Sequence, residues 1–157
     1  MIIELTVPGE PQGKLRAKAV RIGKHVSTYT PDKTVKFETY IRELFAVKYP
    51  DFVPMEGALI LKFIAWVSIP KSTSKKKKIL MQQGVIRPAK KPDLDNIFKV
   101  ILDALQSVAF KNDSQFVAGL PLKYYSERPR LEIKIEEAKF DEWIRERLDK
   151  INKKDPF

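Results

Sequence analysis

The sequence contains no cysteine and a single histidine, His25. The first absence excludes disulfide staples, thiolate nucleophiles and cysteine-based metal centres. The second excludes most zinc sites and the histidine-based catalytic triads. Apolar runs long enough to cross a bilayer are also missing, the most hydrophobic stretch being Gly57 to Ile69 (GALILKFIAWVSI). No basic segment followed by an apolar one opens the chain, so the expected compartment is the cytoplasm. Acid is missing from two long tracts. Pro11 to Pro31 holds five Lys or Arg and Gly57 to Pro92 holds nine, and all twenty Asp and Glu lie outside them. On a chain of net charge +10, two acid-free tracts outline a footprint for a polyanion, with a generally basic soluble surface as the plainer alternative.

What is present suits one domain over residues 1–157, with a mixed β-sheet flanked by helices, an α/β (α+β) fold. IIELTV at residues 2–7 reads as a strand ended by Pro8-Gly9. Gly23-Lys24 reads as the tip of a hairpin with one basic face, and His25 as an exposed turn residue there. Thr30-Pro31-Asp32 reads as a helix start, with Thr30 as cap, for a helix reaching Tyr49-Pro50. Gly57 to Ile69 suits a central strand with Trp66 in the core, and the lysine run Lys75 to Lys78 opens a short helix capped near Ser72 to Ser74. Gln115 to Tyr125 reads as a strand broken near Gly119 and Pro121, and residues 131–136 as another strand. A closing helix from Phe140 to about Ile151 would dock through Trp143, Ile144 and Leu148.

Between these elements lies KPDLDNIFKVILDALQSVAFKNDSQ, Lys91 to Gln115. Leu94, Ile97, Phe98, Ile101, Leu102, Leu105 and Val108 recur at helical spacing and pin one face to the core. Asp95, Lys99 and Asp103 fall four apart on another face, free for solvent or substrate. Asp93 and Asp95 at the helix start, with Asp113 in the turn beyond it, offer an all-oxygen set suited to Mg²⁺ or Mn²⁺. A cation at Lys99 could hold a phosphate or stabilise charge developing on it. Each feature also has a plain reading: a helix cap, an i,i+4 ion pair, an ordinary turn. Their conjunction is what points to chemistry, because one capping acid is enough and the approach through Arg87, Lys90 and Lys91 serves no cap. On the first tract, Lys14, Arg16, Lys18 and Arg21 are the further DNA-contact candidates, with a solvated surface loop as the alternative.

The segment KPDLDNIFKVILDAL followed by FKNDSQFV resembles the signature of the RusA family of Holliday junction resolvases. It matches that signature at Asp93, Asp95, Asn96, Lys99, Asp103, Ala104, Leu105, Asp113 and Gln115, with Phe116 inserted before Val117. PGEPQGKLRAKAVRIGKHVSTYTP is similar to the family's basic N-terminal segment, with Arg16-Ala17-Lys18 where relatives carry Arg-Pro-Arg. The resemblance implies a homodimeric, Mg²⁺-dependent endodeoxyribonuclease making paired cuts in a four-way junction during recombination and repair. It also implies Asp93, Asp95 and Asp113 as metal ligands, Lys99 as the catalytic lysine, and Asp103 and Asn96 in support, Asp103 either of Lys99 or of the metal. Two alternatives are a nuclease of the same fold acting on other branched DNA or RNA, and a non-catalytic branched-DNA-binding module. Neither reading involves a membrane.

Overall fold

The computed structural model describes residues 1–139. Ile2–Pro8 buries every second side chain and forms β1, as a strand with one face on the core must. A separate two-stranded hairpin follows, β2 (Lys18–Ile22) and β3 (His25–Tyr29), then helix α1 (Asp32–Lys48), β4 (Leu59–Ser68), α2 (Lys75–Gln82) and α3 (Leu94–Leu105). A 3₁₀ turn at Asp113–Gln115 leads into β5 (Phe116–Ser126), and β6 is Arg130–Glu137. The main sheet runs β1-β6-β4-β5, with β4 parallel to β5 and the other pairs antiparallel. It is the expected mixed sheet of an α+β fold.

One face of the sheet carries Ile3, Leu5 and Val7 of β1, Leu59, Leu61 and Phe63 of β4, and Leu131, Ile133 and Ile135 of β6. Against it pack Phe37, Ile41 and Phe45 of α1 and Ile97, Val100, Ile101, Ala104 and Leu105 of α3. The helical spacing of those α3 residues is why its apolar face is fully committed while Asp95 and Lys99 stay exposed. Phe98 packs on Gly119 and the Pro92 carbonyl accepts from Lys123, so α3 runs antiparallel to β5 and to its parallel neighbour β4, its N-terminus toward the end where those strands finish.

Four expectations change. The β5 strand is continuous through Gly119 and Pro121. As an edge strand it tolerates a proline, and Gly119 is required by the close approach of Phe98, since a Cβ there would lie 2.7 Å from Phe98 Cε2. Gly119→Ala is accordingly expected to lower the unfolding free energy by about 1–3 kcal/mol in a urea titration. Pro31, not Thr30, occupies the N-cap of α1, and its carbonyl accepts from the Thr34 and Val35 N–H groups without any side-chain cap. Trp66 lies outside the core. On the opposite face of the sheet its ring meets Tyr124 at 5.5 Å and carries the Arg130 guanidinium at 4.6 Å. Lys18 and Arg21, three residues apart on β2, project to opposite sides by strand alternation, so the hairpin has no single basic face. The helix expected from Phe140, with Trp143, Ile144 and Leu148, lies outside the described residues.

Candidate active site

Asp93 is the N-cap residue of α3 and Asp95 lies in its first turn. No side-chain hydrogen bond caps this helix, so neither carboxylate is used as the capping reading would require. Both acids border a cleft of about 1060 Å³. The cleft is walled on one side by the start of α3 and on the other by the strap that links β1 to the hairpin.

That strap is fixed to α3 at close quarters. The Lys14 N–H donates to the Asn96 carbonyl at 2.9 Å, and the Leu15 N–H to Thr34 Oγ1 at 3.2 Å. Gly13 makes the approach feasible, because a Cβ there would meet Asn96 Cβ at 2.9 Å and Pro92 Cβ at 3.2 Å. The Lys14 ammonium reaches past the cleft to hydrogen-bond Asp103 and stands 3.7 Å from Glu38. Burial works against that charge, but the hydrogen bond and field of Asp103, helped by Glu38, outweigh it and hold the Lys14 pKa above its ordinary value. The Glu38 carboxyl is itself pushed up by burial, against the pull of Lys14.

Asp103 therefore supports Lys14 rather than Lys99, and Lys14 is a tie between strap and helix more than a free DNA contact. Arg42 extends the same tie to the end of α3, donating to the carbonyls of Ala104 (2.9 Å) and Asp103 (3.2 Å).

The loop before α3 is wrapped around the edge strand. Arg87 stacks on Tyr124 at 3.9 Å on one face of β5 and donates to the Lys123 carbonyl at 2.9 Å. The Lys123 side chain, on the other face by strand alternation, donates to the carbonyls of Lys90 (2.6 Å) and Pro92 (2.9 Å). This clasp delivers Asp93 to the cleft. Arg87 and Lys90 consequently sit outside the cleft lining, whereas Arg16, Lys33, Lys91 and Lys99 belong to it. Lys18 and Arg21 are exposed on the hairpin, where Arg21 Nε donates to the Gly23 carbonyl.

Asp113 is elsewhere. It lies in the 3₁₀ turn beyond the C-terminus of α3, a helix of 12 residues and so about 18 Å long. The turn is locked by Gln115, whose Oε1 accepts from the Lys111 and Asn112 N–H groups and whose Nε2 donates to the Met55 and Gly57 carbonyls. Asp113 is thus held at the end of the sheet opposite Asp93 and Asp95. Among the described residues no group of three Asp, Glu or His side chains stands where it could hold a metal ion. The expectation that Asp93, Asp95 and Asp113 converge within one chain is corrected: the spacing of a helix plus a turn carries the third acid away from the first two.

Sequence reasoning missed four participants. Glu10 and Lys33 border the cleft, Lys123 clasps its loop, and Gln12 borders it with a buried Oε1 that has no hydrogen-bond partner. Of these, Glu10 and Gln12 carried a signal, their place just before Lys14 in the N-terminal segment set apart by its likeness to other chains.

Over 140 residues the chain is 38% identical to the uncharacterised protein YqaN of Bacillus subtilis (strain 168), covering 87% of this chain and 96% of that one. The family described as Endodeoxyribonuclease RusA matches residues 8–136, from the strap through β6. With that match spanning both walls of the cleft, the chain belongs to the RusA endodeoxyribonuclease family.

Proposed function

We propose that this nuclease is a divalent-metal-dependent, structure-selective endonuclease that resolves four-way DNA junctions by paired cuts, acting as a cytoplasmic homodimer in recombination and repair. The observation that carries the reading is the shared cleft. Asp93 and Asp95 border it together with Lys99, while Arg16, Lys33 and Lys91 supply a cationic approach. Among the described residues no helix is long and apolar enough to cross a membrane.

The donor set fits a hard cation. Two carboxylates two residues apart at one helix start border the cleft, and the single histidine is away on the hairpin, so Mg²⁺ or Mn²⁺ is favoured over zinc. A divalent cation held by Asp93 and Asp95 would supply Lewis acidity and an activated water for hydrolysis of the phosphodiester. Arg16, Lys33 and Lys91 hold the backbone by charge and, for Arg16, by a bidentate fork. Lys99 lies one helical turn from Asp95 and is placed to stabilise negative charge as the water oxygen bonds to phosphorus and the phosphorus–oxygen ester bond breaks. The strap's tie through Lys14 and Asp103 holds the two walls of the cleft together.

The direct test is a labelled synthetic four-way junction beside linear duplex of the same sequence, each with Mg²⁺ and with EDTA. Paired nicks appear only in the junction and only with metal. Tight junction binding without cleavage, in Mg²⁺ and in Mn²⁺, would establish a binding module instead.

A further inference from the structure

We infer that Gln12 is a third protein oxygen at the metal end of the cleft, a neutral ligand supplied by the strap to the cation that Asp93 and Asp95 hold. The inference rests on the metal-dependent reading above and deepens it. Within one chain the two aspartates leave a hard cation under-supplied with protein ligands, because Asp113 is held at the far end of α3.

Three buried side-chain polar atoms among the described residues lack a hydrogen-bond partner: Gln12 Oε1, Glu38 Oε1 and Trp66 Nε1. Glu38 lies beside the Lys14 ammonium, whose charge compensates it. Trp66 Nε1 is a donor on the opposite face of the sheet, away from the cleft, and is no ligand for a cation. Among the described residues Gln12 Oε1 has no donor, and Gln12 borders the same cleft as Asp93 and Asp95.

A buried amide oxygen without a donor is unfavourable and calls for a partner. The third carboxylate of the cleft, Glu10, accepts from the Ser68 N–H. With Asp93 and Asp95 beside it and no donor satisfying the Gln12 oxygen, a hard cation is the partner that serves those three groups at once. The amide adds a ligand without adding a negative charge to those of Glu10, Asp93 and Asp95, so the basic residues of the cleft stay in excess, as a DNA backbone needs.

The strap is built to hold such a ligand. On its C-terminal side the Lys14 N–H is bonded to the Asn96 carbonyl and the Lys14 side chain to Asp103, and on its N-terminal side the Gly9 N–H donates to the Pro129 carbonyl at 3.1 Å. Gln12 therefore sits between two anchors, one of them on the first turn of the helix that carries Asp95.

The test measures metal, not cutting. Mn²⁺ is titrated by electron paramagnetic resonance into DNA-free protein of full length, comparing the wild type with Gln12→Ala, Gln12→Glu and Asp95→Asn. We expect Gln12→Ala to weaken Mn²⁺ binding by about tenfold and Gln12→Glu to tighten it by a similar factor, since ligand charge sets affinity at such sites. The thermal midpoint in EDTA should be little changed. If Gln12→Ala is poorly folded, Gln12→Met, similar in size and without an amide oxygen, is titrated in its place, and weaker Mn²⁺ binding at an unchanged thermal midpoint decides.

Unchanged Mn²⁺ affinity in both Gln12 variants, alongside weakened affinity in Asp95→Asn, overturns the role of Gln12 and leaves the metal site standing. Weaker junction binding at equal Mn²⁺ affinity would instead make Gln12 a DNA contact and also overturn the inference. No effect of Asp95→Asn on Mn²⁺, or no Mn²⁺ binding by the wild type, removes the metal site itself and the proposed function with it.

Discussion

Asp95→Asn is expected to reduce cleavage of a four-way junction by at least about a hundredfold while leaving junction binding intact or tighter. Asp95 is exposed in the first turn of α3 and borders a cleft whose other charged walls include Arg16, Lys33, Lys91 and Lys99. Neutralising it removes a carboxylate from the metal site and, in the same step, a negative charge that repels phosphate. The fold has little stake in the change. Among the described residues the carboxylate makes no hydrogen bond or ion pair, and its interaction with the helix N-terminus is worth about 0.3–1 kcal/mol. Single-turnover cleavage in Mg²⁺, a gel-shift titration in EDTA and a thermal melt together separate the effects. Full cutting by the variant would show that Asp95 is not at the metal, and a large fall in the melting midpoint would make its role structural.

How much of this was legible beforehand depends on the range of the contacts involved. The α3 helix was readable because its apolar residues repeat at the helical period, and that same period freed Asp95 and Lys99 for the cleft. The strands β1, β4 and β6 declared themselves by alternation or by apolar length. Contacts between distant parts of the chain left no such mark. Lys14 looks in the sequence like any basic residue of a DNA-binding tract, and only its hydrogen bond with Asp103, 89 residues on, shows that its charge is spent on holding the strap. Arg87 gave the same impression, yet it is stacked on Tyr124 and serves the loop. Gly119 and Pro121 signal an interruption by local propensity. The edge position of β5 and the ring of Phe98 give each of them a place within an unbroken strand. Asp113 misled for a related reason: it is close to Asp95 in sequence, but a helix lies between them and extends the separation by its full length.

That separation leads to the second large effect. By its resemblance to the RusA signature Asp113 is the expected third acid, yet it lies away from Asp93 and Asp95 of its own chain; we propose that in a homodimer it completes the site of the other protomer. A two-fold axis that brings the C-terminal end of one α3 toward the N-terminal end of its mate does this twice, because an isologous contact is made reciprocally. Asp95→Asn and Asp113→Asn homodimers are then both expected to be inactive. A mixed dimer, co-expressed with two different tags and purified through both, contains one site with two lesions and one with none. It should recover about half of the wild-type nicking, delivered as single unpaired nicks, since one of two symmetric sites works. If each site is instead assembled within one chain, both sites of the mixed dimer carry a lesion and nothing is recovered. Gel analysis of the two junction strands labelled separately distinguishes these outcomes. An Asp113→Asn homodimer that cuts normally would remove Asp113 from catalysis altogether and leave its turn, locked by Gln115, as structure alone.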